Sequence, residues 1–256
     1  IFDVFISLYD SICFERKTFC PQSLIGKVIF LFDKISCTLA DVVICDTQTY
    51  ANWFIKTFNL PSYKVKVFYI CADIDLFKPS AAPPNPKKFI VEFHGGFIPL
   101  QGVFYILQSA KLLAHESKIE FRFLGKGRDL PAAKELAKKL ELQNITFIDS
   151  FAPIEKVPAF IQEADIGLGI FGTVEKTFRV IPNKAYEVMA CKKALISADS
   201  EAVRELFTNR KHLLFCKAGD PADLAEKILE LYRNANLRNA IAEEGHARFL
   251  KVCDFN

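Results

Sequence analysis

Residues 88–113 read KFIVEFHGGFIPLQGVFYILQSAKLL, and their order decides the fold. The opening KFIVEFH has the apolar, aromatic and β-branched character of a strand. Gly95, Gly96, Pro99 and Gly102 then break it and permit a tight turn. The remainder carries apolar residues at helical spacing and predicts a helix over 100–115. Strand, glycine-marked turn and amphipathic helix form the repeating unit of a parallel sheet covered on both faces.

The same alternation runs along the whole chain. Strand-like runs are FDVFISL, DVVICDT, KVKVFYIC, KFIVEFH, IEFRFLG, NITFID, IGLGIF, ALISA and HLLFCKA. Helical patterns fall at 25–39, 48–58, 100–115, 129–141, 155–164, 183–191, 201–207, 221–232 and 234–251. The expected class is α/β, with Rossmann-like, doubly wound parallel sheets. One break interrupts the pattern: FKPSAAPPNPKK, residues 77–88, has four prolines and small residues that continue neither a helix nor a central strand. Three strands precede it, too few for a full doubly wound domain, and six follow. The chain is therefore expected to comprise the tail of one domain (1–78), a linker (79–87) and a nearly complete Rossmann-like domain (88–233). A C-terminal helix (234–256) is expected to pack back toward the first domain.

A formal net charge of +3 over 256 residues gives no argument for nucleic acid. The eight cysteines form no C-x-x-C pair and lie in apolar runs, so they read as buried free thiols in a reducing compartment. Charge interrupts every apolar run well before the ~20 residues of a membrane span, and no signal peptide is evident. The expected location is the cytoplasm. The single methionine is Met189 and the chain opens IFDVFISLYD, as expected of a fragment of a longer protein.

In open parallel sheets ligands bind beyond the carboxyl ends of the strands, which selects HGGFIPLQG, LGKGRD and GLGIFG. FLGKGRDLPAAKEL begins like a dinucleotide fingerprint, yet Leu130 stands at the third glycine position, so a turn between strand and helix is the plainer reading. Gly95 and Gly96 would let phosphates approach backbone N–H groups. His94 reads as a hydrogen-bonded strand-end residue. In FRVIPNKAYEVMACKKALIS, residues 178–197, Pro182 suits a helix start, and Asn183 and Glu187 then share one face. Glu187 and Lys184 could form an ordinary surface pair worth a few tenths of a kcal/mol. The apolar run around Glu187 instead suggests a walled-in carboxylate, able to accept hydrogen bonds from paired hydroxyls while Lys176, Arg179 and Lys184 hold phosphate.

These loops, in this order, resemble the retaining GT-B glycosyltransferases of family 4 (glycosyl transferases group 1). The resemblance rests on EFHGGFIPLQG, FRFLGKG, ITFIDSFAPIEKVPAFIQEADIGLGIF and PNKAYEVMACKKALIS, with LADVVICDTQTYANWFIKTFNLPSYKVKVFYICADIDLFKP similar to the end of that family's N-terminal domain. It implies a nucleotide-sugar donor bound by the C-terminal domain at an interdomain cleft, and sugar transfer to an acceptor hydroxyl with retention, in glycan or glycoconjugate synthesis. Glu187 would hold the ribose, with Asn183, Gly95, Gly96 and Lys184 as further donor-binding residues. Lys176 and Arg179 would be the catalytic cations, with no cofactor and no metal. The acceptor, a glycan, lipid-linked sugar or small molecule, would meet the other domain, through which peripheral membrane association is also conceivable.

Three departures qualify the resemblance. The family's E-x7-E pair would need a glutamate where Arg179 stands, and its glycine-loop Arg and Lys are replaced by Gly96 and Gln101. The alternatives are a non-catalytic sugar-nucleotide-binding protein, a GT-B-fold nucleotide-sugar epimerase and, last, a dinucleotide-binding domain. The fragment alone is expected to be inactive.

Overall fold

The computed structural model describes residues 1–80, 87–149 and 153–253. In chain order its elements are β1 (Phe2–Asp3), α1 (Leu24–Leu39), β2 (Val43–Cys45), α2 (Gln48–Phe58), β3 (Val65–Val67), β4 (Phe89–His94), α3 (Val103–Leu112), β5 (Ile119–Leu124), α4 (Leu130–Lys139), β6 (Ile145–Ile148), α5 (Val157–Gln162), β7 (Ile166–Leu168), α6 (Asn183–Ala190), β8 (Ala194–Ala198), α7 (Glu201–Leu206), β9 (Leu214–Cys216), α8 (Pro221–Arg233) and α9 (Ala235–Val252). Every predicted strand and helix has a counterpart. The α/β class with parallel sheets is the one observed. Most of the expected linker lies outside the described residues.

The chain divides into two units. The first comprises Ile1–Ile70, Val174–Ile181 and Ser200–Leu206. Its sheet is parallel, in the order β1-β2-β3. The run FDVFISL forms a strand only as far as Asp3, because Asp3 Oδ1 accepts the Phe5 N–H at 3.1 Å in a local turn that competes with pairing. A helical turn over Asp10–Glu15 follows, which periodicity did not suggest. Thr47 Oγ1 caps α2 by accepting the Tyr50 N–H at 3.0 Å. Glu205 of α7 takes two more free donors at that helix start, Gln48 N–H and Thr49 N–H, both at 2.7 Å. Contacts of this kind group 174–181 and 200–206 with the first unit, although the sequence pattern suggested 88–233 for both.

The second unit holds six parallel strands in the order β6-β5-β4-β7-β8-β9. The order reverses between β4 and β7, which makes the space beyond their carboxyl ends the switch point where such sheets bind ligands. Phe89, Val91 and Phe93 enter the hydrophobic core with Phe97, Phe121, Phe123 and Phe171. Each such burial contributes about 1.5–3 kcal/mol, which accounts for much of the phenylalanine abundance. The alternate residues of β4, Ile90, Glu92 and His94, point to the opposite face and are buried too. Gly167 of β7 is in register with Glu92. A Cβ there would meet Val188 side-chain carbons at 2.5 and 2.8 Å and Glu92 Oε1 at 2.8 Å, so the glycine lets α6 pack closely and leaves room for a carboxyl.

One expectation needs correction. Cys71 and Cys253 form a disulfide, with Cα atoms 5.7 Å apart and a separation of 182 positions in sequence, a pairing that local spacing cannot reveal. Of the other six, five are buried free thiols and Cys20 is exposed. The last helix, α9, packs on α6, β8 and α8 of the second unit, with His246 Nδ1 3.0 Å from the Met189 carbonyl. No helix among the described residues is long and apolar enough to cross a membrane.

Candidate functional site

Two glycine loops interlock at the carboxyl ends of β4 and β5. Gly95 N–H donates to the Leu124 carbonyl at 2.9 Å, and Phe97 N–H to the Lys126 carbonyl at 2.8 Å. Gly125 has φ +145°, and a Cβ there would lie 2.0 Å from the Gly95 carbonyl oxygen. Only glycine combines that backbone with that approach. Gly96 differs: a Cβ would meet only the Lys126 carbonyl, at 4.0 Å, so this position opens onto space.

The strand end before this loop carries the polar cluster. His94 is almost fully buried. Its Nδ1 lies 2.9 Å from Glu92 Oε2 and its Nε2 lies 2.7 Å from Glu187 Oε2. Burial pulls the imidazole pKa down, but the charges and hydrogen bonds of Glu92 and Glu187 outweigh it and raise the value to about 9. Glu187 sits one turn into α6, with its side chain 16% exposed. Pro182 is extended and stands just before the helix rather than in its first turn.

Lys184 completes the cluster and is its most unusual member. It is 5% exposed, and its Nζ donates to Gln101 Oε1 at 2.5 Å and lies 3.6 Å from the centre of the Phe93 ring. Neither partner carries charge. Burial depresses its pKa to about 7, against the opposing charges of Glu92 and Glu187. A lysine near a helix N-terminus also opposes the helix dipole. The ammonium lies 3.1 Å from where a Cβ of Gly95 would sit, at the backbone of the glycine loop. Asn183, the first residue of α6, is exposed.

The structure thus brings Gly95, Lys184 and Glu187 together around His94. Lys176 and Arg179 belong to the first unit, where carboxylates already hold them. Lys176 Nζ donates to Ser11 Oγ at 2.9 Å and pairs with Glu15 at 3.4 Å. Arg179 pairs with Asp10 at 2.6 Å and Glu175 at 3.0 Å, and its guanidinium stacks 4.8 Å from the Trp53 ring centre. Sequence reasoning passed over Glu92 and took His94 for a satisfied strand end. The overlooked signal is period two: a glutamate and a histidine two apart in a buried strand face the same way.

Residues 77–248 match the family of glycosyl transferases group 1. A glycosyltransferase of Methanocaldococcus jannaschii is 26% identical over 160 residues, 60% of this chain and 41% of that relative's length. HepE of Anabaena, solved in complex with UDP and glucose, superposes with a TM-score of 0.79 at 17% identity, over 98% of this chain and 66% of its own. Sucrose-phosphate synthase of Thermosynechococcus elongatus superposes at 0.75 and 14% identity, over 90% of this chain and 59% of its own. The chain therefore spans less than two thirds of the length of these proteins, and with two thirds of its residues inside the family match it belongs to the glycosyl transferases group 1 family.

Proposed function

We propose that this chain carries the donor side of a glycosyltransferase that moves a sugar from a nucleotide sugar to an acceptor hydroxyl, with retention, in glycan or glycoconjugate synthesis. The observation that carries the reading is Lys184, a buried ammonium whose direct contacts are an amide and an aromatic ring and not a carboxylate, beside the partly exposed Glu187 at the switch point of the sheet. A buried cation without a direct anionic contact is costly, and a diphosphate supplies that contact. Glu187 accepts hydrogen bonds from the ribose hydroxyls. The N–H groups around Gly95 and Gly96 and the ammonium of Lys184 hold the phosphates. As the sugar leaves, negative charge grows on the diphosphate, and these fixed donors stabilise it more than they stabilise the ground state.

Lys176 and Arg179 would have to leave Glu15, Asp10 and Glu175 to reach a phosphate, so Lys184 takes the principal role and those two an auxiliary one. No metal ion is assigned a part. The likeness of this chain to HepE, which was solved with UDP and glucose, supports a uridine nucleotide as the first donor to try.

A second reading, a nucleotide-sugar-binding protein without turnover, is favoured by Gly96 and Gln101, which leave the glycine loop without a charged side chain. Calorimetric titration with UDP-, GDP- and ADP-sugars, followed by nucleotide-release assays with acceptor glycans, separates the two. Binding with acceptor-dependent release is expected from the full-length protein. Binding without release selects the second reading, and no binding of any donor sinks both.

A further inference from the structure

Glu92 lies at 0% exposure in the middle of β4, between neighbouring strands β5 and β7. A carboxylate in such a place needs a strong reason. One oxygen has a partner, His94 Nδ1 at 2.9 Å, and the other, Oε1, has none and rests in the space that Gly167 leaves open. The next link is His94 Nε2 to Glu187 Oε2 at 2.7 Å. A neutral imidazole donates from one nitrogen only, leaving a lone pair on the other. With carboxylate oxygens at both ends, the geometry is satisfied only when both nitrogens carry hydrogen. Glu187 Oε2 is thereby fixed from behind, while the partly exposed side chain keeps Oε1 for a ligand.

We propose that Glu92 is a positioning residue for the donor site: by accepting from His94 Nδ1–H it fixes the ring so that Nε2–H points at Glu187 and holds that carboxylate in one orientation for the ligand's paired hydroxyls. This role rests on the donor reading given above. It extends the site to a residue that never touches the ligand. The other charged groups around the relay are Lys184 on α6, which faces Gln101, and Arg122 on β5, which is in register with Glu92 but pairs with Glu120 and Glu163. Cys191 at the end of α6 also senses Glu92; burial, aided by that charge, pushes its thiol up to about 12. Removing the negative charge of Glu92 takes away the largest of the effects that oppose burial at His94, so its second proton is lost at lower pH and the bond that Glu187 accepts is no longer charge-assisted from both sides.

The experiment follows the His94 ring nitrogens by NMR from pH 6 to 9 in the wild type and in Glu92→Gln, together with UDP titrations over the same range. In the wild type both ring protons should persist beyond pH 8. In Glu92→Gln the transition should fall by about one unit or more, and UDP affinity, close to wild type at pH 6, should drop about tenfold relative to wild type by pH 8.5. Because Glu92 also influences Lys184, the double variant Glu92→Gln/His94→Gln is compared with His94→Gln. The change in profile caused by Glu92→Gln should be smaller in the His94→Gln background, where only the effect through Lys184 remains, and an equally large change there overturns the route through His94. Wild-type His94 titrating near 6.5 overturns the proposal even should Glu92→Gln fail to fold. No binding of UDP to the wild type overturns the donor reading and this role with it. Wild-type binding with an unchanged profile in Glu92→Gln overturns this role alone.

Discussion

Each unit buries a cluster of charged side chains, and the two clusters differ in how their cations are matched. In the first unit Arg179 faces Asp10 and Glu175, and Lys176 faces Glu15. Every cation there has an anion, as an internal ion-pair network requires if it is to repay desolvation. In the second unit His94 faces two carboxylates while Lys184 faces an amide and a ring. The first arrangement gives each of these cations a carboxylate without a ligand. The second leaves one ammonium whose burial nothing in its own unit compensates in full, beside a partly exposed carboxylate. A network that matches its cations with carboxylates serves folding, and a buried cation left without that contact at a sheet's switch point is a candidate for binding.

The largest effect that separates them is on stability. Arg179→Met strands the buried Asp10 carboxylate, a loss of about 3–5 kcal/mol by the usual consequence of breaking a buried pair. Trp53 is the only tryptophan and stacks on Arg179, so denaturation followed by its fluorescence reads the first unit directly. A midpoint within error of wild type would mean the network does not hold that unit together. Lys184→Met should do the opposite. It removes a buried cation without a carboxylate partner, so stability holds or rises, while affinity for a UDP-sugar falls by about 2 kcal/mol, roughly thirtyfold, as for a lost charge-assisted contact. Lost stability with unchanged affinity would make Lys184 a structural residue and remove the observation on which the proposed function stands.

The two clusters were also unequally legible. The alternation of strands and helices comes from local pattern, and the site loops follow from the glycines after β4 and β5. Glu187 stood out because a carboxylate in an apolar stretch is locally anomalous. The partners of Lys176 and Arg179 were out of reach, since Ser11, Asp10 and Glu15 lie more than 160 residues earlier and only the tertiary fold joins them. The Cys71–Cys253 disulfide is hidden for the same reason. Glu92 is a different case. Its strand was identified, yet a single acid in a buried strand was absorbed into the apolar pattern instead of being asked what it faces.

The smallest predicted effect is the dependence of unliganded stability on pH, and it tests whether His94 and Lys184 are opposed as the geometry implies. For His94, burial is outweighed by Glu92 and Glu187, which raise its pKa from 6.5 to about 9. The stability it contributes is complete below pH 6.5 and is lost as pH climbs to 9. For Lys184, burial lowers the pKa from 10.5 to about 7. Its unfavourable contribution is complete below pH 7 and is relieved between pH 7 and 10.5, as the folded chain gives up a proton that the unfolded chain keeps. Between pH 7 and 9 the two slopes have opposite signs, each at most about 1.4 kcal/mol per pH unit, and the wild type should be nearly flat from this pair. Lys184→Met should therefore lose stability as pH rises from 6.5 to 9, and His94→Gln should gain it above pH 7. Amide exchange along β4 reports the second unit without interference from the first. Variants that simply parallel the wild type would show that the two groups do not titrate against one another, and the contrast between the matched and unmatched clusters would then rest on stability and affinity alone.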